Sequence, residues 1–79
     1  MTTRDRTTTL RAASVAIAEA EAAWRAACRA EDDVLWRYDV HCATLREVQD
    51  ANRETRAAWE AYADALRAGK AALVAPVNE

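Results

Sequence analysis

The chain reads as an all-α protein: an antiparallel helical hairpin with heptad-patterned helices that self-associates into a helical bundle. Three observations predict this. First, every seventh residue from Leu10 falls in one column: Leu10, Ile17, Trp24, Glu31, Tyr38, Leu45, Asn52, Trp59, Leu66 and Leu73. Only Glu31 and Asn52 in it are strongly polar. The column three residues on holds Ala13, Ala20, Ala27, Val34, His41, Val48, Thr55, Tyr62 and Gly69. This is the a/d repeat of helices that pack on helices.

Second, the composition is rich in Ala, Arg, Glu and Leu, all strong helix formers. Gly69 and Pro76 are the only glycine and proline, and both lie near the C-terminus. Third, the g column is almost all alanine (Ala16, Ala23, Ala30, Ala51, Ala58, Ala65, Ala72), and the e column adds Cys28, Leu35 and Cys42. A two-stranded coiled coil carries charges there. A face as wide as g-a-d suits a helix that touches two neighbours.

The elements follow in order within one domain, residues 1–79. Residues 1–7 read as a flexible tail, and Thr7-Thr8-Thr9 supplies N-cap candidates just before Leu10. A first helix is expected over 8–30. Glu31-Asp32-Asp33 puts an acid into the apolar column and offers Asp32 or Asp33 as the cap of a second helix over 33–68. Acid-before-base pairs support both helices: Glu21 with Arg25, Asp33 with Arg37, Asp50 with Arg53 and Asp64 with Arg67. Gly69 suits the residue just past a helix end, and 70–79 reads as a C-terminal tail. On these bounds the second arm is the longer and overhangs the first.

Two alternatives stand beside this hairpin. The heptad phase runs through Glu31 and through the polar stretch Gln49–Arg56, so a single long helix in a coiled-coil oligomer is the first. Unbroken from Leu10 to Ala68 it would span ~88 Å. A break at Asp50 or Asn52 gives a three-helix bundle, the second.

Charge and composition bound the function. A net charge of −2 and a pI of about 5.4 argue against a dedicated nucleic-acid binder. The arginines of the b column (Arg4, Arg11, Arg25, Arg46, Arg53, Arg67) are interrupted by Asp32, Asp39 and Glu60, so they form no contiguous basic surface. The apolar run Ala71–Val77 is far short of a membrane span of ~20 residues. Ala18-Glu19-Ala20 has the form of a cleavage site, but Ile17 belongs to the heptad column, so helix is expected there instead. Ten arginines against one lysine, with abundant alanine, point to a GC-rich genome such as that of an actinobacterium or its phage.

Cys28 and Cys42 are too few for a disulfide framework. They read as small buried hydrophobes in a reducing cytoplasm, with a bridge across a hairpin centred near Leu35 as the alternative. His41, at a d position, reads as a structural core histidine. A metal site would need more ligands than His41 and Cys42 provide, so no metal and no cofactor is expected. There is no phosphate loop, nucleophile elbow or paired-carboxylate pocket, hence no catalytic residue and no enzyme.

The interaction residues are the remaining candidates. Leu10, Ile17, Trp24, Tyr38, Leu45, Val48, Asn52, Trp59, Tyr62 and Leu66 are expected to carry self-association. Asn52, with Thr55 one d position on, would fix register as a buried polar pair. Trp36 falls at f, opposite the stripe, and with Leu35 and Val40 forms the candidate surface for another protein. The expected function is a small non-enzymatic assembly or adaptor protein acting through helix–helix contacts, with itself as the main partner. The competing reading is a regulator or inhibitor that binds a host protein through its apolar face and Trp36.

Overall fold

The computed structural model describes residues 3–74, which form two helices joined by a short turn. Helix α1 runs Thr3–Asp39 and helix α2 runs Leu45–Val74. They lie antiparallel, with Arg37 near Glu47 at one end and Arg6 near Leu73 at the other. The hairpin measures 62 × 13 × 12 Å.

The all-α hairpin therefore stands, but its turn is displaced from Glu31-Asp32 to residues 40–44. The acids at 31–33 carry no backbone restriction, so α1 passes straight through them. Asp33 pairs with Arg37 one turn on at 2.9 Å, and Glu31 reaches across to Asn52. Such i,i+4 pairs support a helix rather than end it.

Two local devices end α1 and start α2. His41 adopts φ 63°, the left-handed region. Its N–H bonds the Tyr38 carbonyl at 3.0 Å, and the Cys42 N–H bonds the Arg37 carbonyl at 2.6 Å. This is the Schellman arrangement, with histidine where glycine is commonest. His41 is thus an exposed turn residue and not a core residue. Thr44 then caps α2. Its Oγ1 accepts from the Glu47 N–H at 3.2 Å, and the Glu47 carboxylate accepts from the Thr44 N–H at 3.4 Å, a capping box.

The outer ends are longer than the sequence suggests. Helix begins at Thr3, so residues 3–7 are not a tail and Thr7-Thr8-Thr9 lies inside α1. Thr9 donates its hydroxyl to the Asp5 carbonyl at 2.9 Å. Gly69 does not stop α2, which continues through residues 70–74 to Val74. Its φ is not positive. Arg6 donates to the Leu73 carbonyl at 3.0 Å and satisfies one of the acceptors left open in the last turn of α2. The arms span 37 and 30 residues, so the first is the longer. The expected tail segments 1–2 and 75–79 lie outside the described residues.

The seam explains why Gly69 is where it is. In α1 the inward row is a and d: Leu10, Ala13, Ile17, Ala20, Trp24, Ala27, Glu31 and Val34 are half-buried. In α2 it is d and g instead: Val48, Ala51, Thr55, Ala58, Tyr62, Ala65, Gly69 and Ala72. Alternating small side chains let the backbones approach closely. A Cβ on Gly69 would sit 2.7 Å from Ile17 Cδ1. Further along the seam toward the turn, the Thr55 hydroxyl lies 3.0 Å from the Ala51 carbonyl and 3.3 Å from the Ala27 carbonyl of α1.

Among the described residues only Ala51 is buried, at 9% exposure. Two helices cannot surround a side chain, because each has a single neighbour. Three aromatics at mid-length provide the largest packed unit. Trp24 from α1 meets Trp59 and Tyr62 from α2, with ring centroids 5.0 and 5.7 Å away. Trp59 and Tyr62 meet edge to face at 5.8 Å. Such pairs contribute about 0.5–1.5 kcal/mol each beyond area burial.

Candidate functional site: an apolar column outside the seam

The change from an a/d seam in α1 to a d/g seam in α2 has a consequence at the surface. It turns the a column of α2 out of the hairpin and onto one long side. Leu45, Trp59, Leu66 and Leu73 are 56, 46, 41 and 61% exposed. Asn52, the fifth member, is exposed as well. Residues seven apart on a helix share a side, so these five form one row along the whole of α2.

The opposite rim of the same side comes from the a and e columns of α1. Near the turn, Glu31 and Leu35 of α1 form a groove with Val48, Gln49, Asn52 and Arg53 of α2. At the open end, Leu10, Ala13, Ser14 and Ile17 form a second with Leu66, Gly69, Lys70 and Leu73. Both grooves therefore lie on the side that carries the exposed column. Leu35 and Tyr38, each 42% exposed, sit at its turn end.

The self-association residues divide in two. Leu10, Ile17 and Trp24 from α1, and Val48 and Tyr62 from α2, line the intramolecular seam and are half-buried. Tyr38, Leu45, Asn52, Trp59 and Leu66 are exposed. Within the hairpin Asn52 is exposed, and its amide donates to Glu31 Oε2 at 3.1 Å on the surface.

Of the trio Trp36, Leu35 and Val40, the Val40 N–H bonds the Trp36 carbonyl at 3.2 Å, one helical turn on, while Leu35 turns to the groove side. Trp36 is 65% exposed on the side of α1 away from α2, where Val15, 51% exposed, lies three heptads earlier in the same f column. Leu35 lines the groove near the turn. Val40, 45% exposed, belongs to the turn itself.

The thiols are also apart. Cys28 is half-buried within α1, Cys42 is exposed in the turn, and both are free. A hairpin centred near Leu35 is what the bridge required, and the turn lies further on. Among the described residues, no three His, Cys, Asp or Glu side chains gather in a metal-binding group. No helix among them is long and apolar enough to cross a membrane.

The sequence contained a signal for this column: g is alanine in α2, as befits a seam, and a is large, as befits a second contact. The displaced turn hid it, because the two helices use different pairs of columns. Comparison with protein-family models, curated proteins and solved structures finds no match.

Proposed function

We propose that this chain is a small non-enzymatic assembly protein whose α2 outer column packs against a helix of another chain. The observation that carries the reading is the row Leu45, Trp59, Leu66 and Leu73, held outside the seam at 41–61% exposure on a protein with one buried residue among those described. Chains this small are marginal alone, and oligomerisation is a usual remedy. A row of large apolar side chains flanked by polar ones is the form that helix–helix interfaces take.

A second reading rests on a different residue. Trp36, the most exposed aromatic side chain, lies away from the column and would anchor a different protein. In that case the chain is an adaptor or inhibitor, with self-association on one side and Trp36 on the other.

Thermal unfolding followed by circular dichroism at several protein concentrations tests the assembly reading. Association linked to folding makes the midpoint rise with concentration. A midpoint that stays constant over a hundredfold range rejects it.

A further inference from the structure

The heptad columns keep their phase through the turn. Tyr38 and Leu45 are successive a residues, His41 and Val48 are successive d residues, and residues 40–44 separate the helices. A hairpin does not require this, because each of its helices sets its own phase. An unbroken helix does. The inward rows are a and d in α1 and d and g in α2, so both contain d. A g residue follows d by three positions and an a residue by four, which puts all three on one face. A helix continuous through 40–44 would therefore carry both inward rows on one side.

The turn itself is weakly enforced. Residues 40–44 contain no glycine and no proline. The reversal depends on His41 at φ 63°, a conformation that burdens an L residue and that straightening relieves. Against this stands the Thr44–Glu47 capping box, which straightening gives up. The seam does not decide between the two shapes. Ile17 faces Gly69, Trp24 faces Trp59, Glu31 faces Asn52 and Arg37 faces Glu47, and each pair is centred within about one residue of Cys42. Two straightened copies laid antiparallel reproduce all four pairs between chains, with Cys42 at the two-fold axis.

We propose that the turn is a hinge through which two copies exchange helices. In the exchanged dimer α1 of each copy packs on α2 of the other, in the same seam as the closed hairpin. Short hinges under strain favour exchange of this kind. The seam contributes equally to both forms, so the hinge and the protein concentration set the balance between them. The outer column of α2 lies outside the seam in both forms, and the exchange does not depend on what packs there.

The contact between Trp24 and Tyr62 reports the exchange, because the two rings stack across the seam at 5.7 Å and neither belongs to the outer column. Equal amounts of carbon-13-labelled and unlabelled chain are unfolded together and refolded at high concentration. Isotope-filtered nuclear Overhauser spectra then show only contacts between copies. A filtered Trp24–Tyr62 contact is the expected result, and His41→Gly should lower it about tenfold by relieving the closed turn. An undiminished contact in that variant overturns the role of the hinge. A dimeric sample in which Trp24 and Tyr62 meet only within one chain overturns the exchange and leaves the assembly reading intact. A monomeric mass at every concentration overturns both.

Discussion

Asn52 and Glu31 bond to each other across the hairpin, the side-chain amide of Asn52 donating to Glu31 Oε2 at 3.1 Å. They are the two strongly polar members of the seven-residue column, and each taken alone looks like a break in its helix. Together they are one surface bridge between two continuous helices.

That relationship gives the first prediction. Asn52→Leu removes one exposed hydrogen bond, worth about 1 kcal/mol or less at the surface. It also completes the apolar column, and a newly buried leucine contributes about 1.5–3 kcal/mol. The monomer should melt within a few degrees of the parent. The dimer should tighten by about tenfold or more, since each ~1.4 kcal/mol is a factor of ten. Sedimentation equilibrium of the two proteins in parallel measures this, and weaker association of the variant counts against the column as the contact surface.

The turn gives a second. His41 occupies the left-handed region at φ 63°, which costs an L residue roughly 1–2 kcal/mol and glycine nothing comparable. His41→Gly should stabilise the hairpin by about 1 kcal/mol, a rise of about 4–8 °C for a domain of this size. His41→Val should destabilise it, because a β-branched side chain is least tolerated there. Thermal melts of both variants check the sign of each.

Gly69 faces two opposed effects. Alanine is better than glycine inside a helix by about 1 kcal/mol. Its Cβ would press on Ile17 Cδ1 at 2.7 Å, the far end of a side chain that borders the open groove with Leu66 and Leu73. Turning Ile17 aside costs of order 0.5–1 kcal/mol, so Gly69→Ala should be neutral to slightly stabilising. Gly69→Leu should lose about 1–3 kcal/mol through overpacking of the seam. Chemical denaturation of the two variants separates these outcomes.

Leu45 and Leu73 are the most exposed members of the column, at 56 and 61%, so they contribute little to the seam. The double substitution Leu45→Glu, Leu73→Glu should leave the far-ultraviolet spectrum helical. It should weaken self-association by a hundredfold or more, since it buries four unpaired carboxylates in the dimer. A variant that loses its helicity would show that these leucines hold the hairpin itself.

Much of the fold was legible because heptad spacing and helix propensity are local properties. The all-α class and the hairpin followed from them, as did the mixed-charge pairs. The position of the turn did not. It has no glycine, no proline and no run of turn formers, and it depends on His41 accepting a conformation that its type seldom adopts. The cap at Thr44 was visible as Thr-x-x-Glu, but the acids at 31–33 offered an earlier candidate. Gly69 misled for the opposite reason: a glycine near a C-terminus resembles a stop, while its use here is close approach to Ile17. The exposed column was hidden by the same displacement. Reading a/d through the whole chain assumes one seam, whereas the antiparallel partner rotates α2 so that d and g face inward.

The most direct test of the assembly surface is sedimentation equilibrium of the unmodified chain under reducing conditions, across a wide concentration range. A reversible dimer, with twice the 8.7 kDa chain mass, is the expected result. A mass of 8.7 kDa at every concentration would contradict it.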